Sequence, residues 1–149
     1  MVSANEVYQK LCAALDARSW TYEKEEEHLL VSFDVNGEDI PIRFLIRVDE
    51  ERSLVSVMSP LPFDIPEEKR IEGALAVCAA SNRLADGSFD YDLLDGSIVF
   101  RLTATYRDSV ISEQLLQYMI DCTCFVVDEY NDRFLLLSKG LLNVEEFFK

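Results

Sequence analysis

Two dipeptides, Asn36-Gly37 and Asp95-Gly96, constrain this chain more than any other feature, because each joins two runs in which apolar residues recur at every second position. Asn-Gly and Asp-Gly suit two-residue type I′ turns, which need positive φ at both central positions and match the twist of antiparallel strands. A two-residue loop at Asn36-Gly37 sets Phe33 opposite Ile40, Val31 opposite Ile42 and Leu29 opposite Phe44. A four-residue connection over Asp49 to Arg52 then sets Ile46 against Val55 and Phe44 against Val57, so three strands share one apolar face. With Asp95-Gly96 as the second loop, Leu93 meets Ile98, Tyr91 meets Phe100 and Phe89 meets Leu102, while Asp90 stands outward across from Arg101. A one-residue slip in either hairpin would turn these rows towards water.

Helical patterns fill the gaps. Ser3 followed by Glu6 reads as a capping box, and Val7, Tyr8, Leu11, Cys12 and Leu15 recur at helical spacing up to about Arg18. Ser59-Pro60-Leu61-Pro62 reads as a loop, after which Pro66 suits a first helical turn and Glu67 to Leu84 continues as a second helix, with Gly87 just past its end. From Ser112 to about Ser138, Leu116, Met119, Ile120, Thr123, Val127, Tyr130, Phe134 and Leu137 trace one stripe of a long third helix that Gly140 stops. Asn143 with Glu146 can cap a short last turn ending in Phe147 and Phe148. The order is α-β-β-β-α-β-β-α, an antiparallel sheet packed by helices. It predicts a single α+β domain over residues 1–149, with a core at about 5–138 and a short apolar segment at 141–149. The apolar runs fall short of a membrane span and the N-terminus lacks a charged-then-apolar leader, so the expected setting is cytoplasmic, away from membranes.

Charge and chemistry narrow the function. Twenty-eight acidic against fourteen basic residues give a net charge of −14, which opposes binding to nucleic acid or anionic lipid. The run Glu23-Lys24-Glu25-Glu26-Glu27 reads as a solvated stretch. Cys122 and Cys124 lie two apart on a helix and point to different sides, so they cannot grip one metal ion, and all four cysteines read as reduced, mostly buried small apolar residues. His28, the only histidine, falls on an outward strand position with no nucleophile or carboxylate at catalytic spacing. Asp90, Asp92 and Asp95-Gly96 hint at a calcium loop, but Leu94 occupies the fifth ligand position and no glutamate stands at the twelfth. The reading is a non-enzymatic protein with no cofactor and no metal.

Two surfaces stand out instead. Beyond the buried face of the first sheet lie His28, Leu30 and Ser32, then Arg43, Leu45 and Arg47, then Leu54, Ser56 and Met58. Leu30, Arg43, Leu45, Arg47, Leu54 and Met58 form a candidate partner-binding surface, because a merely solvated sheet face has no need of four large apolar side chains. Burying those four contributes about 6 to 12 kcal/mol, comparable with the roughly 4 to 15 kcal/mol that association costs. The alternative is that the first helix or the C-terminal segment covers them. The second helix is clad on two sides, by Ile71, Leu75, Cys78 and Asn82 and by Gly73, Ala76, Val77 and Ala80. The small face, Gly73, Ala76, Val77 and Ala80, is expected to form a homodimer interface, unless the sheet and the third helix sandwich it. The tail, with Leu141, Leu142, Val144, Phe147 and Phe148, is expected to dock on its own domain or on another chain.

The Ser59-Pro60 segment after three strands, the helix carrying Asn82, Gly87-Ser88-Phe89, the Asp95-Gly96 hairpin and the long last helix resemble the YbjN-like proteins, whose fold is that of the type III secretion chaperones. The resemblance spans about residues 5 to 138. It implies a small, acidic, cytoplasmic bacterial protein, often dimeric and without enzymatic activity. Chaperones of this fold hold an unfolded stretch of a client along apolar grooves on the first helix and sheet, and YbjN-like proteins are linked to sensory regulation. Two readings follow. The first is a chaperone-like homodimer that engages a polypeptide client through apolar pockets flanked by Arg43 and Arg47, or by adding the client to a free sheet edge. The second is a small-ligand sensor with a pocket between the first helix and the sheet, lined by Tyr8, Phe33 and Phe44.

Overall fold

The structure, a computed structural model, describes residues 2–149. Helix α1 (Ala4–Ala17) starts where the Ser3 hydroxyl accepts the Glu6 N–H at 3.2 Å. Strand β1 (Glu23–Glu25) and a 3-10 turn at Glu26–His28 lead into β2 (Leu30–Val35), β3 (Ile42–Asp49) and β4 (Leu54–Asp64). Helix α2 (Arg70–Asn82), strands β5 (Ser88–Tyr91) and β6 (Ser97–Thr105), helix α3 (Glu113–Ser138) and a 3-10 segment at Val144–Phe148 complete the chain. All strand neighbours are antiparallel, in the order β1-β2-β3-β4-β6-β5. This is the predicted α+β architecture with one strand more, because the acidic run at Glu23 also pairs as an exposed edge strand.

Neither dipeptide forms a type I′ turn. Among the described residues only Gly96 of the four takes a positive φ, at 76°. The β2–β3 loop spans residues 36–41, and Phe33 faces Phe44 rather than Ile40, a shift of four residues. Gly37 serves a close approach instead: a β-carbon there would stand 2.3 Å from the Ile40 carbonyl oxygen and 2.7 Å from Asp128 Oδ1, which accepts the neighbouring Glu38 N–H at 2.8 Å. In the second hairpin the loop spans 92–96, closed by the Gly96 N–H donating to the Asp92 carbonyl at 2.8 Å. Phe89 therefore faces Phe100 rather than Leu102, and Leu93 leaves the buried row for solvent. Ile46 likewise faces Val57, not Val55. Every shift is even, and the period of two means that an even shift returns each side chain to its predicted face. Val31, Phe33, Phe44, Ile46, Val55, Val57, Phe89, Phe100 and Leu102 are all buried.

Leu29, Ile40 and Leu93 are the exceptions, since all three lie outside the strands and Leu29 ends the 3-10 turn at φ 50°. Ser59-Pro60-Leu61-Pro62 is not a loop but part of the eleven-residue β4. Pairing with β3 runs only to Met58, and on the other side the register with β6 breaks after Pro60, so Pro62 falls in an irregular stretch.

The helices pack on one side of the sheet, where inward strand residues join α1, α2 and α3 in one core. Phe89 meets Phe100, Tyr130 and Phe134 edge-on at 5.4, 5.7 and 5.2 Å, and Phe147 of the C-terminal segment stacks on Phe134 at 5.2 Å. That segment thus docks on its own domain, beside α2. Gly73, Ala76, Val77 and Ala80, the face expected to meet a second subunit, are buried within the protomer. A β-carbon on Gly73 would stand 2.6 Å from the Tyr91 hydroxyl and 3.1 Å from Ile65, so the small residues let α2 sit tightly on the β5 end of the sheet. The pocket expected at Tyr8, Phe33 and Phe44 is filled: all three are buried and the two phenylalanine rings stack at 4.7 Å.

Candidate functional site

The sheet face opposite the helices carries the candidate surface. One row across it runs Glu25, Leu30, Arg47, Ser56, Thr103, and the next runs Glu23, Ser32, Leu45, Met58, Arg101, Ser88. Leu54 follows beside Thr105. The structure therefore brings Leu30, Leu45, Leu54, Met58, Arg43 and Arg47 onto one face. His28 is not among them, because it belongs to the exposed 3-10 turn. Neither α1 nor the C-terminal segment covers the four apolar side chains, which are half-buried and stand apart from the core that those elements share with the inward face. Residues on β6, including Val99, Arg101 and Thr103, extend the face beyond the predicted three strands. The signal was the uncharged run Leu54 to Phe63, too long for one hairpin arm and able to pair on both sides.

Electrostatics differ among the arginines. Arg43 pairs with Asp34 at 3.1 Å and Arg101 with Asp90 at 2.8 Å. The second pair is diagonal, since Asp90 has Val99 as its direct neighbour. Exposed Arg47 closes on no carboxylate among the described residues. Its charge helps to hold the Asp49 carboxyl below the usual range, after the larger effect of the Arg52 N–H donating to Asp49 at 2.9 Å. The face thus offers leucine and methionine side chains around one cation free to meet a partner's acid.

Both sheet edges are guarded. β1 is three exposed charged residues. At the other end, the Phe89 N–H donates outward to Ser81 Oγ of α2 at 2.9 Å, and the Tyr91 hydroxyl donates to the Arg70 carbonyl at 2.8 Å. A strand adding at either end meets a short charged edge or one partly engaged by α2, while residues 33–35 of β2 lie beyond the reach of β1.

Among the described residues no group of three or more His, Cys, Asp or Glu is placed to hold a metal ion, and no helix is long and apolar enough to cross a membrane. All four cysteines are free thiols. Cys12 is buried, but Cys78 is exposed on α2, against expectation. Burial pushes the Cys124 thiol up to about 11.

Three solved structures are similar to this fold. A chain of the ExsC-ExsE complex matches with 12% identity and a TM-score of 0.63, covering 89% of this chain and 96% of that one. YbjN from E. coli matches with 10% identity and a TM-score of 0.62, covering 84% of this chain and 91% of that one. A chain of the HopA1-SchA chaperone-effector complex matches with 13% identity and a TM-score of 0.58, covering 89% of this chain and 99% of that one. At these identities the likeness is one of fold. No curated protein matches the chain. The family model YbjN, described as "Putative bacterial sensory transduction regulator", matches residues 8–136. Spanning the whole sheet and nearly all of the three helices, that match shows that the chain belongs to the YbjN family.

Proposed function

We propose that this protein binds a polypeptide segment across its outward sheet face, in a non-enzymatic, chaperone-like or regulatory role. The observation that carries the reading is that this face, alone among the large surfaces of the sheet, has no helix over it, yet holds Leu30, Leu45, Leu54 and Met58 around unpaired Arg47. Two of the structures similar in fold are complexes, one named for ExsC with ExsE and one for a chaperone with its effector. The four side chains are already half-buried, so what a partner can still cover contributes less than the about 6 to 12 kcal/mol of burying four exposed ones, which supports weak to moderate affinity once the cost of association is met. Partly guarded edges favour side-chain contact over strand addition. Four free cysteines accord with a reducing, cytoplasmic setting.

A photo-crosslinking residue at Thr103 tests the proposal in cells. A defined polypeptide partner is expected to couple there, and Leu45→Asp with Met58→Asp is expected to abolish the coupling while circular dichroism and melting stay unchanged. Undiminished coupling in the double variant refutes the site, and loss of folding shows that the face belongs to the core.

Self-association belongs to the same reading, on the exposed stripe of α2 rather than its buried one. Ile71, Leu75 and Cys78 lie outward, and no charge falls between Gly73 and Asn82, so a second copy of a chain at −14 meets least repulsion there. Light scattering is expected to give a dimer that Leu75→Asp converts to a 17.1 kDa monomer. A wild-type monomer mass overturns it.

A further inference from the structure

On the helical side, away from the sheet face, a cleft of about 480 Å³ opens between α3 and the segment that follows α2. Residues spaced three or four apart on α3 build one wall, with Tyr118, Phe125 and Arg133 among them, and Arg83 stands on the other. We propose that this cleft binds a small aromatic anion, with the guanidinium groups of Arg83 and Arg133 taking the anionic group and Phe125 taking the ring.

Three observations converge on that chemistry. The chain has only fourteen basic residues against twenty-eight acidic ones, yet Arg83, Arg133 and Lys149 all reach this one cleft. Arg133 forms no ion pair with a carboxylate among the described residues. Its guanidinium lies 5.2 Å from the centroid of the Tyr130 ring, while Arg83 donates to the main-chain oxygen of Lys149, whose ammonium pairs with Glu146. Arginine's planar fork suits a carboxylate or phosphate, and the aromatic ring beneath Arg133 fixes its plane. Second, Phe125 is 71% exposed, although the next aromatics along the helix, Tyr130 and Phe134, are buried. A bare phenyl ring at a cleft wall is a surface on which a flat ligand gains by stacking. Third, the volume lies within the range that holds a one- or two-ring compound.

Two carboxylates also reach the cleft, and they set the sign of the test. Asp86 is engaged by the Tyr118 hydroxyl, which donates to it at 3.0 Å. Glu129 lies one turn before Arg133 and opposes an incoming anion.

The experiment is a nuclear magnetic resonance titration of the labelled full chain with indole-3-acetate. Saturable shifts are expected at the Phe125 ring and at the Arg83 and Arg133 side-chain N–H signals, with none at Leu45 or Met58, so the result is independent of polypeptide binding on the sheet. Arg133→Gln and Arg83→Gln are each expected to weaken binding about tenfold. Glu129→Gln is expected to tighten it, an effect that loss of fold cannot mimic. Indole-3-ethanol, which keeps the ring and lacks the charge, is expected to bind far more weakly. Absence of saturable shifts, equal binding of the neutral analogue, or unchanged affinity in both arginine variants overturns the proposal.

Discussion

Gly96 has the Ile65 carbonyl oxygen where a β-carbon would go, at 2.1 Å, and it holds a left-handed φ of 76°. Its own carbonyl accepts the Ile65 N–H at 2.8 Å, so this residue ties the β5–β6 loop to the chain just past β4. Gly96→Ala is therefore expected to cost about 2 kcal/mol or more, read as a lower urea midpoint; an unchanged midpoint would contradict the geometry. Two carboxylates beside turns make a second case. Asp95 accepts from Ser97 and Asp49 from Arg52, and these hydrogen bonds hold both carboxyls below the usual range. Because the folded state binds those protons more weakly than the unfolded chain, the stabilisation is complete above the ordinary value near 4. It is lost as pH falls through the lower folded values. Asp49→Asn with Asp95→Asn is expected to flatten the acid limb of the stability profile, while the wild type keeps its slope.

Phe147 shows how elements far apart in the chain share one core. It stacks on Phe134, so Phe147→Ala is expected to cost about 3 to 5 kcal/mol, seen in thermal unfolding, whereas Phe148→Ala, at an exposed neighbour, leaves the melt unchanged. The elements themselves were legible because their signals are local: Ser3 accepts the Glu6 N–H as the capping-box spacing predicts, and Ser112, the expected start of α3, accepts the Leu115 N–H. Strand faces were legible for a different reason. Pairing shifted by two or four residues, but alternation cares only for parity, so Leu30, Leu45, Leu54 and Met58 reached one side regardless. Register itself was hidden because the Gly37-Glu38 corner answers to Asp128 on α3, ninety residues beyond Glu38, and no local rule for a tight corner contains that contact. The same limit applies to α2. Its two apolar stripes look alike in sequence, and only Tyr91 and Ile65 decide that Gly73 lies inside and Leu75 outside. Of the cleft on α3, the spacing of Tyr118, Cys122, Phe125 and Arg133 was readable, but Arg83 enters it from the segment that follows α2.

At the scale of the molecule, an excess of fourteen negative charges on 149 residues works against compactness. Salt within the physiological range shortens the reach of that repulsion to about 8 Å, so the melting temperature is expected to rise as sodium chloride is added from a low-salt buffer; a fall would mean that ion pairs such as Arg18 with Asp121 outweigh the net field. The guarded margins of the sheet have a consequence for choosing partners. Main-chain pairing is indifferent to the order of residues, and a protein that relied on it would accept almost any extended stranger. Here three charged residues occupy one border and Ser81 claims an amide at the other, so on the proposed reading discrimination passes to the fit of individual side chains. If a polypeptide binds as proposed, one of identical composition with its letters shuffled is expected not to bind, because the face would read a message and not merely a posture.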